Sequence, residues 1–199
     1  MRRLAVPLLL AVVLTGCSSQ EAGKPSAGDQ ASGAPTTGTS AAAAPVNRPK
    51  AVDLKTLDPC TLITPETKTA LSIRTVEPGS PAPAYGEGSK ACGASFEDRK
   101  YVWGLDTILN GGPDVLKKNA GEAKVAEVPV AGYPGYQTKQ ETVGGKPGSC
   151  RLYLDVHDGQ MLLVTMILPF AAGPESTLDG ACERGKTLAT AVATTLAAK

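Results

Sequence analysis

The chain has 199 residues, 42% hydrophobic and 4% aromatic, with 20 Lys and Arg against 19 Asp and Glu, five Cys and one His. That length holds one domain of ordinary size plus unstructured sequence, and not two full domains. A net charge of +1 excludes the broad basic surface of a nucleic-acid binder, and a single His excludes a multi-histidine metal site or proton relay.

Met1-Arg2-Arg3 is a positive start, and the positions from Leu4 to Leu14 are apolar apart from Pro7. This run of 11 is too short for a membrane-crossing helix, which needs about 20, and fits the core of a signal peptide. Leu14-Thr15-Gly16-Cys17 then has the order of a bacterial lipobox. The expectation is removal of residues 1–16 and diacylglycerol on Cys17, so that acyl chains rather than charge hold the protein to the membrane. An ordinary secretory signal with an incidental Cys is the plainer alternative.

Residues 18–50 are 33 positions, 24 of them Ala, Gly, Ser, Thr or Pro. Such a segment cannot repay its ordering entropy by burial. Residues 17–50 therefore read as a lipidated Cys on a flexible stalk, and 51–199 as a single extracytoplasmic domain at the cell membrane. All aromatic residues and the other four Cys lie in that last part.

Within it, Thr64 as N-cap, Pro65 at the first helical position and Glu66 in the first turn predict a short helix through Leu71. Residues 77–90 read as a loop. Ala91–Phe96 and Tyr101–Leu109 read as strands joined at Glu97-Asp98-Arg99-Lys100. Pro113–Lys118 is a brief helix, and strands return over Ala123–Val130 and Tyr136–Glu141. Asp158-Gly159 predicts a type I′ hairpin turn within 149–168. Pairing His157 with Gln160 sets Val156 opposite Met161, Leu154 opposite Leu163 and Leu152 opposite Thr165. On the other face the first strand carries Arg151, Tyr153 and Asp155, whereas the second carries Leu162, Val164, Met166 and Leu168. A strand apolar on both faces is an interior one covered on both sides. From about Ser176 to Ala197 a stripe at spacings of three and four, from Leu178 to Leu196, predicts a helix lying on the sheet.

Cys60, Cys92, Cys150 and Cys182 form an even set in an exported chain and predict two disulfides. Three connectivities are open; the preferred one joins Cys92 to Cys150, as two strand starts, and Cys60 to Cys182. The absence of a C-x-x-C pair argues against zinc and thioredoxin-like chemistry.

Few residues suggest catalysis. His157 shares its neighbourhood with Asp155 and Asp158, but a solvated histidine beside a turn is the reading preferred. There is no G-x-S-x-G elbow for a triad. Gly144-Gly145-Lys146-Pro147 has Pro where a phosphate loop needs Ser or Thr, so it is a turn. Glu97-Asp98 is a charged hairpin tip. Tyr133 and Tyr136, set among Gly and Pro, are read first as cover for a small core; with Tyr85 they are also the candidate binding surface to test.

The lipobox with Cys17, Asp58-Pro59-Cys60 ahead of Leu62-Ile63-Thr64-Pro65, Cys92-Gly93, Ser149-Cys150 before the hairpin, and Cys182 in the last helix resemble one group of proteins. These are the actinobacterial lipoproteins of the domain-of-unknown-function family 3558. The resemblance implies an envelope lipoprotein and brings no catalytic residues with it. The element order also resembles the PsbP-like α/β/α sandwiches, mostly interaction modules. The expected fold is α+β, a mainly antiparallel sheet covered by N-terminal and C-terminal helices. The expected function is non-enzymatic binding of an envelope protein, a wall polymer or a small apolar ligand, with no metal and no cofactor. A wall- or lipid-modifying hydrolase and a purely structural envelope protein are the alternatives.

Overall fold

The hairpin around Asp158-Gly159 organises the sheet. In the computed structural model, which describes residues 46–121, 124–145, 147–170 and 173–199, its arms are β6 (Ser149–His157) and β7 (Gln160–Ile167). The expected signal peptide, Cys17 and the expected stalk as far as residue 45 lie outside the described residues, as do Ala123 and Lys146. Five further strands are β1 (Glu77–Gly79), β2 (Ala91–Ser95), β3 (Val102–Ile108), β4 (Ala126–Glu127) and β5 (Gly135–Gln140). They form one antiparallel seven-stranded sheet in the order β1-β2-β3-β7-β6-β5-β4. The strand apolar on both faces, β7, is the central one, as its composition requires.

The hairpin register differs from the expected one. His157 does pair with Gln160, but the ladder slips between Asp155 and His157, leaving Val156 as a bulge. Leu154 therefore faces Leu162, Leu152 faces Val164 and Cys150 faces Met166. The slip gathers the largest aliphatics of both strands on one face, which a one-residue shift would have scattered. The turn differs too. Only Gly159 has positive φ (69°), whereas a type I′ turn needs it at both central residues. That geometry appears instead at Ala131 (φ 48°) and Gly132 (φ 85°), where Val130 and Tyr133 exchange backbone hydrogen bonds.

The strand expected over 123–130 pairs regularly only at Ala126–Glu127, with one more bond from the Val128 N–H to the Gly135 carbonyl at 2.7 Å. Pro129 has no N–H to continue the ladder. The loop expected at 77–90 holds the three-residue edge strand β1 and a 3-10 turn, Pro83–Tyr85. Both sheet edges are thus very short and carry Glu or Pro, which suits strands that must not recruit others.

One face of the sheet is covered by helical segments from the start and the end of the domain. α1 (Pro65–Ala70) starts at Thr64, whose hydroxyl accepts from the Thr67 N–H, and follows a 3-10 turn, Pro59–Leu62. α3 (Leu178–Ala198) starts at Thr177, whose hydroxyl accepts from the Gly180 N–H. It buries Ala181, Cys182, Leu188, Ala189, Val192 and Leu196 against the sheet. Gly185 permits this approach, since a Cβ there would sit 3.1 Å from both Leu152 Cδ1 and Met166 Cγ. The second face carries a smaller core, in which Leu116 of α2 (Pro113–Ala120) packs on Ile108, Tyr153, Met161 and Leu163. The fold is α+β, with a mainly antiparallel sheet flanked by helices.

Two disulfides are present, but not in the preferred pairing. Cys60 joins Cys92 and Cys150 joins Cys182, each with Cα atoms 5.2 Å apart. The sheet order gives the reason. β2 and β6 are separated by β3 and β7, three spacings of about 4.8 Å, or roughly 14 Å in all. A disulfide spans Cα atoms only about 4.4–6.8 Å apart. Each strand cysteine therefore bonds to the helical layer above it. Folded contacts also begin ahead of residue 51: Arg48 pairs with Asp155 and Asp158, and the Val52 N–H donates to the Val156 carbonyl at 2.9 Å.

Candidate functional site

Strand alternation sends Ile108 of β3, Met161 of β7 and Arg151 and Tyr153 of β6 to the face opposite α3. α2 covers only part of that face. Between α2, the end of β3 and the Pro83–Tyr85 turn lies a cavity of about 270 Å³, floored by these four side chains. Tyr85, Val115, Leu116 and Ala120 form its walls, with Asn110 and Asn119 at the opening.

The wall carrying Tyr85 is tied to β3. The Leu109 N–H and the Ser89 hydroxyl both donate to the Tyr85 carbonyl at 2.8 Å, and Asn110 Nδ2 donates to the Ala84 carbonyl at 2.8 Å. Gly86 has φ +99°, and a Cβ there would lie 3.0 Å from Asn110 Cβ, so glycine lets the turn close on the strand. The cavity is built before any ligand arrives.

Its charge is uneven. Arg151 is the charged side chain among the lining residues, and its buried Nε has no hydrogen-bond partner. Among the described residues it makes no ion pair within 4 Å. Asp106 stands across β7 on the same face, one register step along, since Arg151 pairs with Thr165 and Asp106 with Leu163. Burial pushes the Asp106 carboxyl up to about 6, with the Arg151 charge opposing. Burial also raises the Tyr85 phenol, helped by Asp106 and opposed by Arg151. A half-buried carboxylate and a guanidinium left unpaired beside one cavity are the kind of perturbation found at ligand sites.

Asp106 supplies a test of this electrostatic reading. An acid whose folded pKa exceeds its unfolded one binds more protons when folded. Stability should therefore fall as pH rises from about 4 through about 6. Asp106→Asn should remove that slope and gain about 1–2 kcal/mol at pH 7.5, allowing for solvent screening. Urea unfolding at pH 4 and pH 7.5 measures it, and a variant equal to wild type at both values would refute it.

The three tyrosines of the expected binding surface have separate fates. Tyr85 lines the cavity. Tyr136 lies on the same face, opposite Tyr153, with Lys117 Nζ 5.2 Å from its ring centre, but outside the lining. Tyr133 is 0% exposed and belongs to the core beneath α3, so it is withdrawn from any surface. The turn at Ala131-Gly132 folds it inward. Arg151 and Tyr153 also line the cavity, and the sequence marks them only as the polar side of β6.

The other candidates are engaged structurally. The Asp155 and Asp158 carboxylates are taken by Arg48, and His157 Nδ1 lies 3.3 Å from the Asp158 carbonyl. Asp98 pairs with Arg184, which stacks 3.7 Å over the Phe96 ring. Among the described residues no group of three or more His, Cys, Asp or Glu could hold a metal ion, and no helix is long and apolar enough to cross a membrane.

No curated protein and no solved structure matches the chain significantly. A family model does: it spans residues 12–195 and so takes in Leu14 to Cys17, all four paired cysteines and the strands that floor the cavity. The chain belongs to the family described as protein of unknown function (DUF3558).

Proposed function

We propose that this is a lipid-anchored protein of the extracytoplasmic membrane face, in the manner of actinobacterial envelope lipoproteins, and that its domain is a non-enzymatic binding module. The observation that carries the binding role is the cavity beside Tyr85, mainly apolar and with Arg151 as the charged side chain of its lining. A concave, mainly apolar space with a few polar side chains at its rim is the usual form of a small-ligand site. Anchoring rests on Arg2-Arg3, the short apolar run and Leu14–Cys17, and the family match begins inside that run. The helical layer over a sheet with a second, partial layer beneath is what supports reading the fold as akin to the PsbP-like sandwiches.

Val115, 44% exposed at the cavity wall, is the position for a photo-crosslinking amino acid in the full chain. In membranes of the native host it should give a discrete adduct by mass spectrometry, lost when Tyr85→Ala is added. Val143, 68% exposed on the β5–β6 turn, is the control position. Identical adducts from both positions would defeat the proposal.

A further inference from the structure

Resting on that reading of the cavity, we infer that its ligand is a small uncharged molecule, an apolar body with one carbonyl oxygen that accepts from the Tyr153 hydroxyl. The first ground is the state of that hydroxyl. A buried tyrosine normally finds a partner for its O–H. Tyr101, 5% exposed, donates to the Thr177 carbonyl at 3.2 Å. Tyr153 is 8% exposed, and among the described residues its hydroxyl has no hydrogen-bond partner. It is not sealed away either, since the unpartnered buried side-chain atoms closed to solvent are Trp103 Nε1, Tyr133 Oη and Arg151 Nε. The open space beside Tyr153 is the cavity that it floors. A ligand that displaces water from this floor must return a hydrogen bond to the hydroxyl or lose affinity.

The second ground is charge. Arg151 also reaches the floor, but Asp106 stands on the same face one register step away, and the two charges offset each other. A carboxylate or an ammonium group would upset that balance and would shed its hydration against apolar walls. An uncharged ligand does neither. The third ground is the sense of the hydrogen bond. A guanidinium only donates, and the Tyr153 O–H is free to donate, so the polar atom that meets this floor is an acceptor. Size sets the rest. About 270 Å³ equals roughly nine water molecules at ~30 Å³ each, so the body is small. Ile108, Val115, Leu116 and Met161 give it an apolar wall.

Acetophenone is the probe, with ethylbenzene as the counterpart that lacks the oxygen and benzoate and benzylamine as the charged counterparts. Each is titrated into the full chain carrying Cys17→Ser, so that no acyl group competes, and followed by amide chemical shifts in NMR. Acetophenone should bind about fivefold more tightly than ethylbenzene, with the largest shifts at Tyr85, Leu116 and Tyr153. Both charged probes should bind more weakly than acetophenone. Tyr153→Phe removes the hydroxyl without breaking a hydrogen bond among the described residues, and it should bind acetophenone and ethylbenzene alike. Equal binding of these two by the wild type would overturn the carbonyl contact and leave the apolar cavity standing. Tighter binding of benzoate or benzylamine than of acetophenone would overturn the uncharged ligand. A folded Tyr153→Phe variant that still prefers acetophenone would overturn the role of Tyr153. If neither acetophenone nor ethylbenzene binds the folded wild type, the cavity reading fails and this inference with it.

Discussion

Replacing Cys150 and Cys182 together by Ala should lower stability by about 4–5 kcal/mol, and replacing Cys60 and Cys92 by about 3–4 kcal/mol. The two bridges join residues the same distance apart, 32 positions. The loop-closure term, about 3.7 kcal/mol for each, is therefore common to both, and any difference comes from the folded state. Cys150 is 0% exposed and Cys182 is 7% exposed, where α3 meets the sheet, so truncation there leaves unfilled space in the main core. Cys60 is only half-buried, and its site can relax toward solvent. The loops do not overlap in sequence, so the closure terms should add, to about 7–8 kcal/mol. A typical domain has only about 5–15 kcal/mol in total. Guanidinium unfolding measures the losses, with larger m-values in the variants because their unfolded chains are less constrained. A smaller loss at Cys150–Cys182 than at Cys60–Cys92 would contradict this account of the core.

The pairing of these cysteines was hidden for a reason that applies to much of the fold. Local sequence reports which face of an element is apolar, and α3 shows this well. Its stripe from Leu178 to Leu196 keeps spacings of three and four, and the stripe is buried from Ala181 onward, with Leu178 partly buried. Local sequence does not report which strands become neighbours. β3 and β7 both lie between β2 and β6, and together they separate Cys92 from Cys150. The hairpin register fails in the same way. Seven of the eight β7 residues are buried, so apolar side chains occupy both faces and alternation cannot choose between two registers. The bulge at Val156 makes the choice.

The site was legible in part. Tyr85 stood out in a Pro-rich segment and does line the cavity. Tyr133 had the same signal, an aromatic among glycine and proline, and went to the core because the Ala131-Gly132 turn folds it under. Arg151 and Tyr153 were recognisable only as the polar side of a strand. Their meaning needed α2 to cover half of that face and leave a gap above them.

Arg48→Met should destabilise the protein by about 2–4 kcal/mol at pH 7, although position 48 belongs by composition to the stalk. Its guanidinium is 10% exposed and reaches Asp155 Oδ1 at 2.7 Å, with Nε also donating to the Asp155 carbonyl at 3.2 Å. The second contact, to Asp158 at 2.8 Å, involves a carboxylate that is 87% exposed and is worth little. The energy lies in Asp155, whose side chain is 3% exposed. Burial raises its carboxyl above the usual range, and Arg48 pulls it only part of the way back. Met keeps most of the side-chain bulk and removes the charge, so the folded pKa of Asp155 should rise further. An acid of this kind destabilises the fold above its folded pKa and not below its unfolded one, near 4. The cost of Arg48→Met should therefore shrink as pH falls from 7 toward 4. Adding Asp155→Asn should recover much of the loss at pH 7, which a double-mutant cycle resolves. A cost independent of pH, with no recovery in the double variant, would mean that Arg48 acts by packing alone. The contacts that follow it, from Leu54 N–H to Gln160 Oε1 at 2.7 Å and from Gln160 Nε2 to Asp53 at 3.0 Å, hold the next residues to the same hairpin.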